Sequence, residues 1–260
     1  MIPKIIHYCW FGRGEMPEFA IKCIESWKKF CPDYEIMVWN EDSFDINCNR
    51  YVREAYEARK FAFVSDVARL TALYNYGGVY LDTDVMVLKS FDNYLHHNGF
   101  FGFESKKSIQ TGVIGFEEKS AIVKQLLEDY ESRTFITENN TFDLTTNVAV
   151  ITKAFKEKGL MLNGEYQVCE DVVFYPQNVF CPDLDRLNDN QYMKDTATIH
   201  YFAGSWKSEA TLKRERSWWW KAFAVVATFV SRVLTSVLGD KWTNAKNRMR
   251  DNVIESEKNK

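Results

Sequence analysis

Nine residues, Gly77-Gly78-Val79-Tyr80-Leu81-Asp82-Thr83-Asp84-Val85, constrain this chain more than any other segment. Paired glycines end whatever helix precedes them, and Val79 to Leu81 is a short apolar run with β propensity. In extended chain, residues two apart face the same way, so Asp82 and Asp84 project together, roughly 7 Å apart at the backbone. Thr83 turns the other way. Two carboxylates at a strand end suit a hard divalent cation and leave coordination positions for water and phosphate oxygens. A bare Asp-x-Asp is also what a solvated acidic turn looks like, and the apolar strand in front of it is what favours a site.

The rest of the chain alternates between strands and helices. Lys4 to Cys9 reads as a buried first strand, turned by Gly12-Arg13-Gly14. Phe19 to Phe30 carries Ala20, Ile24 and Trp27 at helical spacing, after Pro17 and before Cys31-Pro32. Tyr34 to Trp39 alternates as a second strand. Phe61 to Tyr74 is an amphipathic helix closed by Gly77. Further strands are expected at Val85–Leu88, Phe100–Phe103, Val113–Phe116, Phe174, Val179 and Thr198–Phe202, with helices at Ala121–Ser132 and Thr146–Lys158. Strand, helix, strand, helix, strand predicts an α/β fold with a parallel sheet, helices on both faces, and a site beyond the strands' carboxyl ends. Neither a Gly-x-Gly-x-x-Gly dinucleotide fingerprint nor a P-loop occurs. Glu170-Asp171 reads as a structural turn into the following strand.

Composition removes several classes. With 46% hydrophobic residues, the 260-residue chain has ample core-forming material and is not a disordered polymer. A net charge of −3 gives no footing for a nucleic-acid partner. Cys9, Cys23, Cys31, Cys48, Cys169 and Cys181 are scattered without a Cys-x-x-Cys pair, so free thiols in a reducing compartment are expected. No basic segment followed by a long apolar stretch stands at the N-terminus, so a cytoplasmic location is expected.

Three segments in order, Ile2 to Gly12, Ala62-Phe63-Val64-Ser65-Asp66-Val67-Ala68-Arg69, and Gly77 to Asp84, resemble glycosyltransferase family 32. That is the sugar-binding Asp-x-Asp group of bacterial capsule and lipopolysaccharide transferases and yeast mannosyltransferases. Its core is similar to that of the large clostridial glucosylating toxins. The resemblance covers about residues 1–95, and a fainter His200…Gly204-Ser205-Trp206 extends it. It implies a GT-A-type nucleotide-sugar-binding sheet flanked by helices over residues 1–207, and retaining hexosyl transfer from a UDP-sugar, with a GDP-sugar second. The acceptor would be a glycan or a lipid-linked glycan in cell-surface polysaccharide synthesis.

The resemblance also assigns roles. Trp10 would stack on uracil, with Cys9, Phe11 and Phe61 beside it, although a Trp capping the sheet is the plain alternative. Asp66 and Arg69 would face the donor sugar, or simply pair with each other at i,i+3. Ser65 and Tyr80 would approach the nucleotide or its phosphates, and Asn147 the sugar. Asn147 stands where the family often has the glycine of a Thr-Gly-Pro. Asp82, Asp84 and His200 would hold Mn²⁺ or Mg²⁺, the imidazole favouring Mn²⁺, unless His200 is a buried structural histidine. Ser205 and Trp206 would close over the diphosphate. His7, inside the first strand, reads as a core histidine.

Asp82-Thr83-Asp84-Val85 also fits the signature of haloacid-dehalogenase-like phosphatases, with Asp82 as the nucleophile. That family needs the motif on its first strand, however, and here it comes about eighty residues in. A non-catalytic sugar-binding module is a third reading. In residues 208–260, Trp218-Trp219-Trp220 opens an amphipathic helical extension in which Phe223, Val226, Val230 and Val233 share one face. With Lys207, Lys213, Arg214 and Arg216 flanking it, it suits an anionic membrane surface, or else the protein's own core or a dimer contact.

Overall fold

The computed structural model describes residues 1–203, which form one compact unit. The chain runs β1 (Ile5–Cys9), α1 (Glu18–Phe30), β2 (Glu35–Trp39), α2 (Arg50–Glu57), α3 (Phe61–Tyr76), β3 (Gly78–Leu81) and β4 (Val85–Val87). There follow β5 (Gly99–Ser105), β6 (Ser108–Ile109), β7 (Val113–Phe116), α4 (Ala121–Ser132), α5 (Asn147–Glu157), β8 (Gln167–Cys169), β9 (Val172–Tyr175), α6 (Gln177–Phe180) and β10 (Thr198–His200). The main sheet has the order β2-β1-β3-β7-β5-β9-β8, with β6 hydrogen-bonded to β5, while β10 pairs with β4 in a separate ribbon.

The α/β class is as expected, but the all-parallel sheet is not. β7 is antiparallel to both β3 and β5, and β8 is antiparallel to β9. Connection length is the reason. The segment from Ser105 to Val113 is shorter than the dozen or more residues that a parallel crossover needs. Glu170 and Asp171 have φ of 52° and 60°, which matches the two-residue hairpin turn that reverses β8 into β9. The structural reading of that acidic pair holds. Val179, expected in a strand, lies in α6 instead, where the short helix started by Pro176 buries Val179 and Phe180. α2 and β8 had no counterpart in the sequence reading. α2 is too short for periodicity to register, and β8 is mostly half-exposed.

β1, β2, β3, β5 and β9 all run the same way, so their carboxyl ends share one edge of the sheet. β3 is buried along its whole length. Val79 and Leu81 pack into one apolar layer with Ile6, Trp27 and Val85, while Tyr80 enters the opposite layer with Phe101 and Ile114. α3 is buried on nearly all sides, and Arg69 and Asp66 go inside with it. Its end is fixed by glycine for two reasons: φ is 62° at Gly77 and 105° at Gly78, and a Cβ on Gly78 would meet the Ile5 carbonyl at 2.6 Å. His7 is the core histidine expected. Nε2 lies 2.7 Å from the Gly77 carbonyl and Nδ1 accepts from Trp39 at 3.1 Å. Burial drives its pKa down to about 4, only partly opposed by the Gly77 contact.

Candidate metal centre

Asp82 leaves β3 with its backbone N–H donating to the Gly112 carbonyl at 2.9 Å, and a tight turn returns the Val85 N–H to the Asp82 carbonyl at 3.0 Å. That turn throws Asp84 toward β10, where His200 stands opposite Val85. Nε2 of His200 lies 3.2 Å from Asp84 Oδ1 and 4.0 Å from Asp82 Oδ2. One ligand atom from each of the three residues lies within 4.8 Å of the others. Two carboxylates and an imidazole converging from different strands are a donor set that fits a divalent transition ion. Asp84 Oδ2 also accepts the Ala203 N–H at 2.7 Å. Burial alone would raise the Asp84 carboxyl, but His200 and this N–H hold it below the ordinary carboxylate value. Burial would likewise depress His200, yet the hydrogen bond to Asp84, then Cys181 and the neighbouring charges, lift it to about 10.

Behind this trio, Arg69 ties α3 to the acidic end of β3. Nη2 lies 3.1 Å from Asp66 Oδ1 and 3.4 Å from Asp82 Oδ1, while Nη1 donates to the Thr111 carbonyl at 2.7 Å. The guanidinium also covers the Tyr80 ring at 4.5 Å, and the Tyr80 hydroxyl donates to Asp82 Oδ1 at 2.9 Å. Asp66 and Arg69 therefore pair with each other, and Arg69 reaches Asp82 as well. Burial raises the Asp66 carboxyl to about 6, against the pull of Arg69 and the N–H of Asn147. Asn147 is buried at the start of α5, and both its amide atoms lack a partner among the described residues.

The remaining expected residues divide. Trp10 is half-exposed and its indole N–H donates to the Gly14 carbonyl at 2.8 Å. The side chains of Cys9 and Phe11 are packed into the core, Phe11 edge-on to Phe44, which leaves only their main chain to meet a ligand. Phe61 lies against Gly12 and lines a cleft of about 390 Å³ with Gly12, Arg13, Tyr56 and Arg59. The Ser65 hydroxyl is turned back to the Phe61 carbonyl at 3.0 Å. Ser205, Trp206 and the 208–260 extension lie outside the described residues. Sequence reasoning missed the loop Gln110-Thr111-Gly112. Gln110 clasps Val113 through both amide atoms, at 2.6 and 2.9 Å, and so fixes the carbonyls that receive Arg69 and Asp82. A polar pair followed by glycine before an apolar strand was the available signal.

A family model described as "Glycosyltransferase sugar-binding region containing DXD motif" matches residues 17–101. Over 132 residues the chain is 31% identical to inositol phosphoceramide mannosyltransferase 3 of Schizosaccharomyces pombe, covering 49% of this chain and 37% of that one. Over 144 residues it is 32% identical to the lactosylceramide 4-alpha-galactosyltransferase of Mus musculus, covering 55% and 38%. The chain thus spans little more than a third of either relative. A solved glycosyltransferase involved in the glycosylation of the major capsid of PBCV-1 overlays with a TM-score of 0.48 at 14% identity, over 82% of this chain and 98% of that one.

Proposed function

Since residues 17–101 belong to the glycosyltransferase sugar-binding region that contains the DXD motif, the resemblance to family 32 holds, and we propose that this chain is a metal-dependent, retaining GT-A-type hexosyltransferase. It moves a hexose from a UDP-sugar to a hydroxyl of a glycan or lipid-linked glycan. One observation carries this reading: Asp82, Asp84 and His200 bring three ligand atoms together at the carboxyl edge of the sheet, with the Asp66–Arg69 pair directly behind.

Asp82, Asp84 and His200 would hold the cation, for which Mn²⁺ suits the mixed oxygen and nitrogen donors better than Mg²⁺. When bound, the cation neutralises charge that develops on the leaving diphosphate. The chain's own residues do the rest. Arg69 holds Asp82 in place through their 3.4 Å contact, and adds a buried positive charge near the leaving group. Asp66, desolvated and held beside Arg69, accepts hydrogen bonds from sugar hydroxyls, which draw it back to the ionised state. Asn147 offers the same sugar an unpaired buried amide. The cleft lined by Phe61 and Gly12 receives the nucleobase. Among the described residues no carboxylate is placed as an evident covalent nucleophile, which favours a front-face substitution in which the leaving diphosphate takes the acceptor's proton.

Asp82 follows the third strand of the chain rather than the first, and Arg69 has no role in a phosphatase, so the phosphotransfer alternative falls behind. Screening nucleotide sugars for release of nucleoside diphosphate, with Mn²⁺ and with chelator, tests the reading. Release from one donor only in Mn²⁺ is expected. Metal-independent release, or none from any nucleotide sugar, sinks it.

A further inference from the structure

Arg133 follows the last turn of α4, and its side chain is only 15% exposed. Its guanidinium lies against two buried rings, 4.9 Å from the centre of Tyr51 on α2 and 4.7 Å from that of Tyr130 on α4. The two rings stand edge to face with centroids 5.1 Å apart. Such a seat suits a desolvated guanidinium, whose flat fork stacks on aromatic faces and keeps its in-plane donors free. From it, Nε and Nη2 both donate to Asp143 Oδ2, at 3.3 and 2.7 Å. The other oxygen of that carboxylate is left for the chain, and Oδ1 accepts the Thr145 N–H at 3.0 Å. Asp143 is thus tied on one side to the packed helices and on the other to the backbone that enters α5.

That entry matters because of what it delivers. Thr146 caps α5, its hydroxyl accepting the Ala149 N–H at 3.3 Å, and Asn147 opens the helix. Asn147 is 2% exposed, and neither of its amide atoms has a partner among the described residues. Its helix is fastened to the candidate site. The Ile109 N–H donates to Thr152 Oγ1 at 3.0 Å, and the Thr111 carbonyl just beyond receives Arg69. A buried amide without a partner is costly until a ligand completes it, and it distinguishes one hydroxyl pattern from another only if its direction is fixed. Packing does not fix it from upstream, because Leu144, Thr145 and Thr146 are all exposed. The grip on Asp143 supplies that restraint. Closing the preceding loop does not require it, since the Ile136 N–H already donates to Glu54 Oε2 at 2.8 Å and the Asp143 N–H to the Phe135 carbonyl at 2.7 Å.

We propose that Arg133 is a positioning residue for the donor sugar: by gripping Asp143 it fixes the entry to α5, and with it the direction from which the Asn147 amide meets the sugar hydroxyls. The assignment rests on the glycosyl-transfer reading above. Arg133 acts through Asn147 and has no contact of its own with the donor.

The test uses the full chain with Mn²⁺ and whichever nucleotide sugar it consumes, and sets the KM of that donor beside the affinity for its free nucleoside diphosphate, read by calorimetry. Arg133→Met, which keeps the stem and removes the fork, should raise the donor KM about tenfold and leave diphosphate affinity within about twofold of wild type. Asp143→Asn should show the same selective loss, and it decides the matter if the Arg133 variant does not fold. In a protein that already carries Asn147→Ala, Arg133→Met should add little further loss, because the group it aims is gone. Equal weakening of donor and diphosphate, an unchanged donor KM in the folded variants, or a full second loss on top of Asn147→Ala overturns the positioning role while leaving glycosyl transfer intact. Failure of wild-type protein to release nucleoside diphosphate from any donor removes the underlying reading, and this assignment with it.

Discussion

Arg69 is the residue on which the candidate site turns, because one guanidinium serves Asp66, Asp82, the Thr111 carbonyl and the Tyr80 ring. Breaking a buried pair by deleting one partner costs roughly 3–5 kcal/mol, since the other charge is stranded. Arg69→Ala should therefore destabilise by about that much in urea unfolding, and Arg69→Lys should recover little, as an ammonium cannot reproduce the fork. Adding Asp66→Asn to Arg69→Ala should restore part of the loss; strict additivity would show the two residues to be uncoupled. Asp66 also predicts a pH dependence. Its folded pKa of about 6 lies above the ordinary 3.8. Its contribution is then fully present below the unfolded value and is lost as pH rises through about 6, on the order of 2–3 kcal/mol. Asp66→Asn should flatten that fall in a series of melts from about pH 4 to pH 7, measured without donor. An equally steep curve for the variant would assign the titration elsewhere. At the candidate metal centre, Asp84→Asn should lower the melt, because it removes the partner of the buried His200, and should lower Mn²⁺ affinity about a hundredfold or more, read by titration calorimetry.

At the scale of elements, the loop before β7 does more than connect. A Cβ on Gly112 would stand 2.9 Å from His200 Cε1, 3.0 Å from its Nδ1 and 3.1 Å from Asp82 Oδ2. Gly112→Ala should thus push two candidate ligands apart and weaken Mn²⁺ binding about tenfold, with a smaller effect on stability. Wild-type affinity in the variant would mean that the ring simply swings aside. The same scale shows what the sequence made legible. The strand of Val79 to Leu81, the glycine stop at Gly77 and the helix bearing Asp66 and Arg69 were all readable, because periodicity and φ requirements are local properties. The direction of β7 and the grip of Arg133 on Asp143 were not, since they depend on which elements meet. His200 was suggested by resemblance, yet its place opposite Val85 follows from a pairing that no local pattern announces. The Gln110-Thr111-Gly112 segment marked a turn before an apolar strand, but the clasp on Val113 did not show, because it depends on how that turn folds back.

For the whole molecule, no helix among the described residues is long and apolar enough to cross a membrane. Attachment to an anionic membrane surface is a separate proposal that rests on the sequence beyond them, where three tryptophans precede an apolar run and basic residues crowd nearby. At about 1 kcal/mol per basic residue near an anionic surface, such a segment supports reversible, salt-sensitive binding. Full-length protein should co-sediment with phosphatidylserine vesicles at low salt and be released at high salt, whereas a chain cut after Lys213 should stay in the supernatant and still hydrolyse donor. Indifference of the full chain to such vesicles would assign that stretch to the protein's own core or to a dimer. The pairing of β4 with β10 has a temporal consequence as well. Asp84 and His200 are separated by 116 positions (200 − 84) in the chain. At a translation rate of roughly 5–20 residues per second, the imidazole is synthesised on the order of ten seconds after the carboxylates. A nascent chain on the ribosome carries the acidic pair alone through that interval, so the candidate ion site is incomplete until the last described strand docks.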